Sequence, residues 1–154
     1  MDALSFYLDK SDPGAWKAVG QLATAATGSA RAAGLDDQLI ELVNIRVSQI
    51  NGCAYCLDVH LPRAEQAGVS SQRLGTVAAW REAEQLFSEE ERAALDLAEA
   101  VTRLPDQESL HVSQIMAAAV LTDAQYSAVQ WLAMTMNLTN RISILSHHPV
   151  KLRS

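Results

Sequence analysis

Between Asp36-Asp37 and Asn51-Gly52 lies a segment with almost no polar side. Leu39, Ile40, Leu42, Val43, Ile45, Val47 and Ile50 wrap nearly every face of a helix that the acidic pair can open and Asn-Gly can stop. A helix apolar all round has to be covered on all sides, by its own chain or by another subunit. The chain has 154 residues, which the usual size of domains makes a single unit over 1–154, long enough to bury a core without staples.

The remaining text reads as more helices. Apolar and polar residues never alternate for long enough to suggest a strand. Ser11-Asp12-Pro13 is a cap followed by a helix-compatible proline, opening a helix to about Thr27. A helix from about Cys53 toward Gly68 carries Pro62, whose ring displaces the bond to the Asp58 carbonyl and predicts a kink. Ser70 to Ala79 reads as a short helix. Ser88-Glu89-Glu90-Glu91 has the capping-box pattern and opens a helix to Arg103 before Pro105. A helix follows from about Ser109 to Val120. Thr122-Asp123-Ala124-Gln125 is a second capping box, opening a long helix toward Leu145 with Pro149 beyond it. The fold class is all-α, a compact domain of about six to eight helices. The last helix, with Val129, Trp131, Leu132, Ala133, Met134, Met136 and Leu138, is also apolar on most faces. Two such helices in so small a chain favour a homo-oligomer.

Charge and hydropathy exclude several roles. A net charge of -6 argues against nucleic-acid binding, which needs a basic face to release counterions. No charged-then-apolar leader opens the chain, and no apolar run approaches the ~18 residues a membrane span requires. The expectation is a protein of a reducing cytoplasm, where a close cysteine pair is more often catalytic or metal-binding than structural.

The only two cysteines stand in Cys53-Ala54-Tyr55-Cys56-Leu57-Asp58-Val59-His60. The loop that they would close is too small to stabilise a fold. Their spacing suits a disulfide, and His60 falls one turn after Cys56, over the second thiol. Cys53 stands at the helix start, where the macrodipole favours a thiolate, but that bias is worth only ~0.3–1 kcal/mol when exposed. A positioned base removes the proton directly, so Cys56 is read as the attacking thiolate and Cys53 as the resolving thiol.

Glu41 stands in the otherwise apolar helix and needs a partner there. His60 can be that partner if the Asn51-Gly52 turn folds the two helices together, giving a relay from Glu41 to His60 to Cys56. Alternatively, Glu41 pairs with Arg46 on an exposed strip. A zinc site made of Cys53, Cys56, His60 and Glu41 is the chemical rival.

Glu41-Leu42-Val43, Gln49 to His60 and Ala64 to Ser70 resemble the alkylhydroperoxidase D-like branch of the carboxymuconolactone decarboxylase family. The resemblance is specific over about residues 35–75 and weaker toward Asn140-Arg141. It implies an all-helical oligomer, a trimer or hexamer, whose Cys-x-x-Cys pair reduces organic hydroperoxides with no bound cofactor or metal. A dithiol donor, a lipoyl group or a thioredoxin-like protein, restores the pair. The family's other branch, lactone decarboxylation, does not depend on such a pair. A non-catalytic redox sensor or assembly protein is the reading from a different class. Tyr55 stands where the best-studied members carry a second histidine, which makes it a possible auxiliary residue. His111, His147 and His148 read as ordinary surface or helix-end residues, Asp58 as solvated or ion-paired, and Trp131, Met134 and Met136 as packing.

Overall fold

The computed structural model describes residues 5–153. Its eight α-helices are α1 (Leu8–Ser11), α2 (Pro13–Ala32), α3 (Asp37–Asn51), α4 (Ala54–Gln66), α5 (Ser71–Thr76), α6 (Glu89–Arg103), α7 (Gln107–Val120) and α8 (Asp123–Leu145). Two 3-10 turns, Val77–Glu82 and Glu84–Leu86, join α5 to α6. There is no strand among the described residues, so the all-α expectation holds. Among the described residues no helix is long and apolar enough to cross a membrane.

The all-round apolarity of α3 has a direct structural cause, because the helix separates two cores. Leu39, Ile40, Val43 and Val47 join residues of α2, α6, α7 and α8 in the larger one. Leu42 and Ile45 face the other way, onto Ala64 of α4, Val69, Val77, Trp80, Phe87 and Leu95. Each such aliphatic side chain contributes roughly 1.5–3 kcal/mol by leaving water. From Leu39 to Ser48 every residue is buried except Glu41. The chain itself therefore covers α3.

Side chains set most helix starts. Asp36, Ser70, Ser88, Asp106 and Thr122 each accept a bond from the backbone N–H three residues on. Both expected capping boxes are present, at Ser88–Glu91 and Thr122–Gln125. Three boundaries differ from the sequence expectation. Helix α2 continues past Gly28 to Ala32, because an isolated glycine costs a helix only about 1 kcal/mol and the stop is Gly34, at φ 86°. Helix α7, capped by Asp106, starts at Gln107, two residues earlier than Ser109. The Ser70–Ala79 helix divides into α5 and a 3-10 turn.

Helix α4 runs on through Pro62 to Gln66. The carbonyl of Asp58, which the proline cannot serve, accepts instead from Arg153 Nη2 at 2.6 Å, and the same guanidinium pairs with Asp58 Oδ1 at 2.8 Å. Asp58 is thus ion-paired. Trp131 and Met134 stay out of the core, half-exposed on α8, whereas Met136 is buried in the larger core.

Candidate active site

The α3–α4 turn places the cysteines. Gly52 adopts φ 70°, a left-handed conformation that glycine reaches without a Cβ clash, and Cys53 N–H then donates back to Ser48 C=O at 3.0 Å. Helix α8 braces the turn: Asn51 Nδ2 donates to Asn137 Oδ1 at 2.9 Å and Asn140 Oδ1 at 3.0 Å, while the fully buried Asn140 donates to Ser48 Oγ at 3.0 Å. Asn140, noticed in the sequence only as part of a weak resemblance, thus holds the segment that carries Cys53.

Cys53 caps α4, its Sγ accepting from Cys56 N–H at 3.3 Å. The two cysteines are joined as a disulfide, with Cα atoms 5.3 Å apart. They are not equivalent in access. Both are buried, Cys56 7% and Cys53 1% exposed, but of the two only Cys56 lines a cleft of about 1150 Å³. Among the described residues no group of three or more His, Cys, Asp and Glu side chains is arranged to hold a metal ion.

His60, one turn beyond Cys56, lines the same cleft. Its Nδ1 lies 2.6 Å from Glu41 Oε2, with both side chains largely buried. An ionised carboxylate can only accept, so Nδ1 carries the hydrogen and Nε2 is the lone-pair nitrogen of the neutral ring. The structure thus brings together Glu41, His60 and the cysteine pair, four residues that the sequence singled out. The alternative partner for Glu41 is engaged elsewhere: Arg46 is buried, and its Nε donates to Glu99 Oε1 at 2.7 Å.

Tyr55 also lines the cleft, and here the sequence reading needs correction. His148 is not a surface histidine. Its ring stacks on Tyr7 at 5.5 Å, tilts against Tyr55 at 5.1 Å and places Nε2 3.2 Å from Asp9 Oδ1. The cleft is therefore walled by α2, α3, α4 and α8 and by the segments at both ends of the described chain. Nothing in the sequence marks His148, because its place depends on a left-handed turn at His147, φ 51°, where no glycine signals one.

The fold and site define an all-helical domain that carries a bonded Cys-x-x-Cys pair, one sulfur facing a cleft beside a carboxylate–imidazole pair. The chain belongs to the carboxymuconolactone decarboxylase family, whose model matches residues 15–100. It is 38% identical over 104 residues to the uncharacterized protein YdfG of Bacillus subtilis, covering 68% of this chain and 70% of that one. Over 71 residues it is 39% identical to the uncharacterized protein YnjA of Escherichia coli, covering 46% of this chain and 38% of the other. A crystal structure of an Agrobacterium tumefaciens protein of unknown function, provisionally assigned as an antioxidant defence protein AhpD, superposes with a TM-score of 0.83. That likeness spans 98% of this chain and all of the other at 27% identity. Family, AhpD-like neighbour and bonded cysteines are all consistent with a redox role.

Proposed function

We propose that the protein is a dithiol peroxidase that reduces organic hydroperoxides in a reducing cytoplasm. The supporting observation is the division of access: Cys56 lines the cleft with the Glu41–His60 pair, while its bonded partner Cys53 does not. In the reduced protein His60 Nε2 takes the Cys56 proton, with Glu41 stabilising the resulting imidazolium. The thiolate attacks the terminal oxygen of ROOH and the O–O bond breaks. The RO fragment leaves as alcohol with the proton from His60, and Cys56 becomes sulfenic acid. The Cys53 thiol then attacks that sulfur, forming the disulfide and releasing water. An external dithiol, lipoyl or thioredoxin-like, returns the pair to thiols and is itself oxidised. Tyr55, beside Cys56, flanks the approach of the substrate. The working form is a homo-oligomer, a trimer or hexamer.

The test is to expose reduced protein to cumene hydroperoxide and count thiols. Loss of two thiols with one equivalent of cumyl alcohol formed is expected; retention of both thiols under excess peroxide sinks the reading. In the same assay Cys53→Ser should accumulate trappable sulfenic acid and Cys56→Ser none. The reverse pattern would exchange attacker and resolver.

A further inference from the structure

The end of α8 gives the cleft a second polar corner. His147 N–H donates to Ile144 C=O at 3.1 Å and His148 N–H to Ser143 C=O at 3.2 Å. With His147 in the left-handed region, this is the helix stop that brings the flanking side chains, here Ser143 and His148, toward each other. Only two buried side-chain nitrogen or oxygen atoms among the described residues lack a hydrogen-bond partner: Ser143 Oγ and His148 Nδ1. Ser143 is 5% exposed, and both residues line the cleft. An unpaired buried polar atom is costly, and native structures retain few of them. Two from one helix stop, on the wall of one cleft, point to a ligand.

Their chemistry specifies the group. Asp9 Oδ1 pairs with His148 Nε2; with the ring neutral and Nε2–H donating, Nδ1 is left as an acceptor. Tyr7 stacks on that ring and Tyr55 tilts against it. The Ser143 hydroxyl supplies a donor. One acceptor and one donor on residues of the same cleft wall complement a hydroxyl, which gives one bond and takes one; a carboxylate has no hydrogen to offer Nδ1. Leu132, Met136 and Ile142 add an apolar wall to the same cleft. We propose that Ser143 and His148 form a subsite for a hydroxyl group on the body of the substrate, so that the cleft selects hydroxylated organic hydroperoxides. The subsite stands on the orphaned atoms, and its use in selecting hydroperoxides rests on the peroxidase reading.

Calorimetric titration of the disulfide form with two product alcohols tests the subsite without requiring turnover. The probes are cumyl alcohol and its 4-hydroxymethyl derivative. The derivative should bind wild type about tenfold tighter, the scale of one satisfied hydrogen-bonding group. That ratio should fall to about one in Ser143→Ala and in His148→Phe, whose ring can still pack against the tyrosines. Equal binding of both alcohols to wild type overturns the proposal and leaves the two atoms to an ordinary bound water; a tenfold ratio that survives in both variants also overturns it. KM values for the two parent hydroperoxides should show the same preference. Absence of turnover with either, while the binding ratio persists, would refute the peroxidase reading and leave the subsite standing.

Discussion

Glu41 and Glu99 are two carboxylates set among apolar neighbours, and their surroundings give them different work. Glu41 opens onto the cleft and meets one imidazole. Glu99, 3% exposed, meets four donors: Arg46, Trp80, Arg81 and Arg103. Burial works to raise its pKa, but hydrogen bonds from Arg81, Arg46 and Trp80 outweigh it and hold the carboxyl below its ordinary value of 4.5. A carboxylate whose pKa is lowered by folding stabilises the native state above its unfolded pKa and loses that contribution as pH falls through the folded one. Glu99→Gln leaves the buried Arg46 without its counter-charge and should cost about 3–5 kcal/mol in denaturant unfolding at pH 7. The gap from wild type should narrow as the pH drops below 4.5; a gap independent of pH would show that packing, not charge, is lost. The sequence allowed Glu41 either His60 or Arg46 as a partner. His60 lay within reach of a single helix–turn–helix argument. The true partner of Arg46 is 53 residues away on another helix, and spacing carries no register across such a distance. Trp80, uninformative in the sequence, acquires its role from the same network.

Four helices end alike, each with one left-handed residue followed by a residue that bonds back to the closing turn. Gly34, Gly52 and Gly68 fill the left-handed place after α2, α3 and α4, and His147 fills it after α8. At α6 the corresponding residue is Leu104, φ 45°. A side chain with a Cβ is strained there by roughly 1–2 kcal/mol. Replacing Leu104 or His147 with glycine relieves that strain but frees the unfolded chain, so each should gain about 0.5–1 kcal/mol, a rise in Tm of about 1–4 °C. A fall in Tm at His147 would mean that its side chain makes a contact worth more than the strain. These ends also explain what was legible at this scale. Capping boxes, Asn51-Gly52 and Ser11-Asp12-Pro13 announce themselves by residue type. The stop at His147 does not, so the delivery of His148 into the cleft escaped notice. Pro62 announced a kink; α4 continues through it to Gln66, and Arg153 serves the carbonyl that the ring abandons.

Across the whole molecule, the apolar sides of α3 are satisfied within the chain, whereas others are not. Val112, Ile115 and Met116 form an exposed stripe on α7, and Trp131, Met134 and Leu138 form one on α8. We read these stripes as covered by further copies of the chain. Wild type should sediment as an assembly at micromolar concentration, and Met116→Asp combined with Trp131→Asp should shift it toward monomer with its helical circular dichroism kept. A wild type that sediments as a monomer would remove the oligomer from the functional reading. The all-helical class and the buried α3 were legible because hydrophobic periodicity and caps are local. The cleft was not, because its walls come from distant elements. Tyr7, Asp9 and His148 meet there from opposite ends of the chain, joined also by Leu8 N–H donating to Ser146 Oγ. With Arg153 fastened to Asp58, segments near both ends of the described chain line the cleft. A substitution at Lys10 or Lys151 would therefore reshape the cleft from a position remote in sequence from the cysteines.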